Sequence, residues 1–69
     1  MDTYVTVLDL TSDAVLHRFG PFQNAAAARV AAAAKAGRVL TWRKDGGLWR
    51  ADLAPHAYLV PADPPAGQE

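Results

Sequence analysis

The sequence predicts an α+β fold: a two-layer ββαββ sandwich in which one mostly antiparallel sheet carries a single helix on one face. Three observations predict it: two runs of β-branched and aromatic residues near the N-terminus, one alanine-rich block with capping residues at both ends, and two alternating runs around a glycine turn. A short fifth segment near the C-terminus is expected either as an edge strand or as a strap over the core.

Residues Thr3 to Leu10 are rich in Val, Thr, Tyr and Leu, and the turn formers Thr11-Ser12-Asp13 separate them from a second such run, Ala14 to Phe19. A β-hairpin follows, and Gly20-Pro21 is expected to end its second strand because proline has no N–H for the ladder. Asn24 is a good helix N-cap, the block after it runs to Ala36, and Gly37 stands where a left-handed residue closes a helix. At about 100° per residue, Val30 falls opposite the sector between Arg29 and Lys35. The expected buried stripe is therefore Val30 flanked by Ala26, Ala27, Ala33 and Ala34, a smooth surface that must lie close against a sheet with large side chains. Phe22 is placed to pack back over the first turn.

Beyond Gly37, residues Arg38 to Lys44 and Gly47 to Leu53 form two alternating runs around Asp45-Gly46. A two-residue Asp45-Gly46 loop would pair Arg43 with Leu48 and Trp42 with Trp49. One face then carries Leu40, Trp42, Trp49, Ala51 and Leu53, and the other carries Val39, Thr41, Arg43, Leu48, Arg50 and Asp52. Pro55 interrupts the second run, and His56 to Val60 is the fifth segment. Residues 1–60 are read as one domain, and the Pro-rich residues 61–69 as a disordered tail with little to bury.

A chain of 69 residues holds one core at most, with no room for a separate catalytic domain. No cysteine is present, which excludes disulfides and thiolate metal sites and fits a reducing, cytoplasmic location. Seven Lys/Arg balance seven Asp/Glu, but all seven cations lie between Arg18 and Arg50, where Asp45 is the only carboxylate. The centre is basic and the flanks acidic. No apolar run approaches the roughly 18 residues of a membrane span, and the first residues lack the pattern of a secretory leader. Heavy alanine use and five Arg to two Lys point to a GC-rich bacterial or phage genome.

Catalysis needs a nucleophile, a base and a group that orients it, and two histidines, one serine and scattered carboxylates supply little of this. His17 and His56 have no metal-ligand spacing, and Ser12 is explained by its turn. Neither Gly46-Gly47 nor Gly20-Pro21 sits in a phosphate-binding loop pattern. No enzyme activity, metal or cofactor is expected. The hairpin is the informative part. Two Trp and three Arg between Arg38 and Arg50 are types enriched at protein interfaces and in single-stranded nucleic-acid sites. With both tryptophans turned toward the helix, Arg43, Leu48 and Arg50 are the candidate binding residues on the opposite face.

Gly20-Pro21-Phe22-Gln23-Asn24, followed by the alanine-rich helix, Gly37 and a strand, resembles the first half of a SPOR-type peptidoglycan-binding domain. The resemblance covers about residues 18 to 41, and the second helix of that family has no counterpart after Trp49, so no function is carried over. The expected function is a small non-catalytic protein-binding module of adaptor or inhibitor type, from a phage or mobile element. The alternative is a nucleic-acid binder that presents the basic hairpin, and a homodimer is compatible with both. A membrane partner is not expected.

Overall fold

The computed structural model describes residues 2–62. In it the two N-terminal runs form β1 (Thr3–Asp9) and β2 (Val15–Phe22), paired antiparallel. The tight connection is held locally: Asp9 accepts the Thr11 N–H on its carboxylate at 2.8 Å, and Ser12 Oγ accepts the Ala14 N–H at 3.3 Å. Contrary to the expectation that Gly20-Pro21 ends the strand, β2 runs through both residues to Phe22. It can do so because β2 is an edge strand, where proline need not donate to a ladder. Gly20 makes the register shift between Thr3 and Val5 possible. Its φ is +150°, and a Cβ there would stand 2.9 Å from both the Thr3 carbonyl oxygen and Tyr4 Cδ2.

Helix α1 spans Ala25–Ala36, as the capping residues require. Asn24 Oδ1 accepts the Ala27 N–H at 2.9 Å. At the other end Gly37 adopts φ 78°, and the N–H groups of Gly37 and Arg38 donate to the carbonyls of Ala34 and Ala33. Ala25, Ala28 and Ala32 form the buried stripe, and Val30 is 71% exposed. This overturns the expected stripe centred on Val30. Two residues beyond Ala28 correspond to a rotation of about 200°, so Val30 points away from the sheet. The sheet side supplies the bulk instead. Val5, Val7, Tyr58 and Val60 are buried in one cluster with these alanines, and Phe19, Phe22, Trp42 and Trp49 pack around it. Only a stripe without large side chains lets α1 approach that surface closely.

The remaining strands are β3 (Arg43–Asp45), β4 (Leu48–Leu53) and β5 (His56–Pro61), and the sheet order is β2-β1-β5-β4-β3. All pairings are antiparallel. The fifth segment is thus the central strand, neither an edge nor a strap. A two-residue Ala54-Pro55 loop, closed by the Leu53/His56 pair, folds β5 onto β4, and the other side of β5 takes up β1. Its apolar content matches that place: Ala57, Tyr58 and Val60 are buried. Pro61 pairs with Leu48, and the Ala62 N–H donates to the Gly47 carbonyl at 2.9 Å, so the sheet extends past residue 60. Of the expected tail, residues 63–69 lie outside the described residues.

The second hairpin turns at Gly46-Gly47, not Asp45-Gly46. Asp45 pairs with Leu48, Lys44 with Trp49 and Arg43 with Arg50, so Trp42 does not stand opposite Trp49. Gly46 takes φ 63°, the left-handed conformation such a turn needs. Strand β3 is shorter than the alternating run suggested. Residues 38–42 lie outside the sheet, with Leu40 buried.

Candidate functional site

Side chains alternate across the sheet, so the partners of the buried residues define one face and their neighbours define the other. Val5, Val7, Tyr58, Val60, Trp49 and Ala51 face α1. The intervening residues form a face that no element of the described chain covers. One row crosses all five strands there: Arg18, Thr6, Leu59, Arg50 and Arg43, each the direct partner of the next. A second row runs Val15, Leu8, Ala57, Asp52, and a third runs Pro61, Leu48, Asp45. Thr6, Leu8, Leu48 and Leu59 are only half-buried. The face is apolar in the middle and charged at both sides.

The register differs from the expected one by one residue on each strand, and that shift preserves the faces. Arg43, Leu48 and Arg50 all lie on the uncovered side, with Arg43 directly opposite Arg50. Two like charges at directly opposed positions repel. Asp52 offsets this: Arg50 Nε is 2.9 Å from Asp52 Oδ1, and Arg43 Nη2 is 3.9 Å from Asp52 Oδ2. One carboxylate therefore accepts a hydrogen bond from Arg50 and stands within ion-pair distance of Arg43. Across the sheet, the Arg18 guanidinium carbon lies 5.2 Å from the centre of the Tyr4 ring, which belongs to the same face.

Sequence reasoning had no access to Tyr4, Thr6, Arg18 and Leu59 as members of this surface. They join it only because β5 is central and brings the two hairpins side by side. The signal present in the sequence was the apolar segment at residues 57–60, too rich in buried types for an edge.

Trp42 and Trp49 are half-buried and pack against the core from the helix side. His17 and His56, far apart in sequence, line one shallow groove, and Ser12 serves its turn. A second groove of about 340 Å³ lies between α1 and residues 39–42, where Val30 and Val39 are exposed. Among the described residues there is no group of three His, Cys, Asp or Glu side chains that could hold a metal ion. No helix of the described residues is long and apolar enough to cross a membrane. Comparison of the chain with protein-family models, curated proteins and solved structures finds no match.

Proposed function

We propose that this chain is a non-catalytic module that binds another protein through the uncovered face of its sheet, with Arg43, Leu48 and Arg50 as contact residues. The observation that carries the reading is the five-strand row Arg18, Thr6, Leu59, Arg50, Arg43, with a half-buried leucine at its centre and arginines at both ends. Arg and Tyr around an apolar centre are the side chains that dominate protein interfaces. The surrounding charges are mixed, since Asp45 and Asp52 share the face with the arginines. A partner of matching form has an apolar patch edged by carboxylates.

Nucleic acid is the second reading, favoured by three arginines in one row and by Arg18 lying over Tyr4. Asp52 weighs against it, because its carboxylate pairs with Arg50 and lies near Arg43, which offsets part of the positive charge that would meet phosphate. Titration of the wild type, Leu48→Ala, Arg43→Ala, Arg50→Ala and the Arg43→Ala/Arg50→Ala double variant against polypeptides retained from the native host, and against single-stranded and duplex nucleic acid, separates the two. The proposal expects Leu48→Ala to weaken polypeptide binding as much as either arginine change. If instead the logarithm of the affinity for nucleic acid falls linearly with log salt, and each lost arginine contact lowers that slope by about 0.7–0.9, the second reading replaces it.

A further inference from the structure

We infer that the groove on the helix-covered side, at the C-terminal end of α1, is a binding site for a small organic anion: a monocarboxylate with an apolar body. The groove is about 290 Å³ and is lined by Val7, Leu16, His17, Lys35, His56 and Tyr58. Its floor is one cross-strand row, in which His17 pairs with Val7 and Val7 with Tyr58. His56 precedes Tyr58 by two residues on β5 and so shares its face, and Lys35 comes from the last turn of α1.

Phe19 positions two of the polar groups. The His17 ring stacks on it at a centroid distance of 5.6 Å, and Lys35 Nζ stands 5.6 Å from the same ring centre. Tyr58 is only 6% exposed, yet no buried side-chain oxygen or nitrogen among the described residues lacks a hydrogen-bond partner. Its hydroxyl makes no hydrogen bond within those residues, so the oxygen keeps some contact with solvent, on a residue that lines the groove.

Four residues with polar side chains thus line one apolar groove, and none of them makes a side-chain hydrogen bond or ion pair among the described residues. Each can donate: an ammonium, a phenol O–H and two imidazoles, which carry at least one N–H in any protonation state. Their shared complement is an acceptor with negative charge. The carboxylate nearest in register is Asp9, opposite His56, and its Oδ1 already accepts the Thr11 N–H at 2.8 Å. Val7, Leu16 and the Tyr58 ring add apolar surface for the body of the ligand. The volume is near the low end of the roughly 300–1,000 Å³ of small-molecule pockets, which limits the ligand to about one ring or a short chain.

The test is a two-dimensional NMR titration of the full chain with three probes: benzoate, benzyl alcohol as the ring without the charge, and inorganic phosphate as charge without the ring. Benzoate is expected to give saturable shifts at Val7, Leu16 and Tyr58 with a dissociation constant of about 1 mM, a normal value for so few atoms. Benzyl alcohol and phosphate should each bind about tenfold more weakly or worse, since each lacks one half of the recognition. Lys35→Met keeps the side-chain stem and should lower benzoate affinity about tenfold with an otherwise preserved spectrum, whereas Lys44→Met on the far hairpin should leave it unchanged. Absence of saturation, shifts confined to other surfaces, or unchanged affinity in Lys35→Met would overturn the site. Equal binding of benzyl alcohol would overturn the anion, and equal binding of phosphate the apolar body.

Discussion

The guanidinium carbon of Arg29 lies 4.2 Å from the centre of the Trp49 ring, and this contact ties the rotation of α1 to the sheet. Arg29 Nε also donates to the Ala25 carbonyl at 3.4 Å, a long bond that holds the side chain along its own helix. Lys44, opposite Trp49 on β3, brings its Nζ to 5.9 Å of the same ring. A partly buried indole with cations near it is stabilised by its quadrupole, by about 0.5–1 kcal/mol at sites that are not fully desolvated.

Arg29→Met is therefore expected to lower stability by about 0.5–1 kcal/mol and to change the Trp fluorescence. The control is Arg38→Met, an exposed position expected to stay within about 0.5 kcal/mol of wild type in urea denaturation. Equal effects of the two substitutions would remove the Arg29–Trp49 contact from the account.

The helix stripe gives a second prediction. Ala28 and Ala32 are fully buried, so Ala28→Leu or Ala32→Leu should cost about 1–3 kcal/mol by overpacking. Val30→Ala should be neutral or stabilising by up to about 0.5 kcal/mol, because it removes an exposed β-branched residue from a helix. A core valine would show the reverse, with a loss of about 1–3 kcal/mol on truncation. Chemical denaturation of the three variants decides the orientation.

The boundaries of α1 were legible because capping is local chemistry: Asn24 and Gly37 act on backbone groups within a few residues. The rotation of α1 was not. Nine of its twelve residues are alanine, so the periodic signal rests on Arg29, Val30 and Lys35 alone, and the one large apolar side chain points outward. What orients the helix is bulk on the sheet, in Tyr58, Val60 and Trp49, which no pattern within the helix records. The faces of the second hairpin were legible despite the wrong loop, since moving the turn from Asp45-Gly46 to Gly46-Gly47 shifts both strands by one and keeps opposed side chains on the same side. Strand order was hidden for a different reason. Pairing of β1 with β5 is a contact between chain ends, set by packing and not by any adjacent turn.

Two glycines in the left-handed region should respond unequally to alanine. At Gly37 a Cβ would meet nothing within 4 Å, and Gly37→Ala should cost only the backbone strain, about 1–2 kcal/mol. At Gly20 the added atom would collide with the Thr3 backbone oxygen as well as the Tyr4 ring, so the loss should exceed that of Gly37→Ala. Thermal melting of both variants checks the order. A Gly20→Ala protein as stable as wild type would show that the β1/β2 bulge is free to rearrange.

The central claim, that the uncovered sheet face is the binding surface, is tested most directly by placing a photo-crosslinking amino acid at Leu48 or at Val30 and irradiating the protein in its native host. Leu48 is half-buried on the uncovered face, and Val30 lies in the exposed groove on the other side of the molecule. The account predicts a covalent adduct with a polypeptide from position 48, lost when Arg43→Ala/Arg50→Ala is introduced, and none from position 30. Adducts from position 30 alone, or adducts of position 48 with nucleic acid in place of polypeptide, would contradict it.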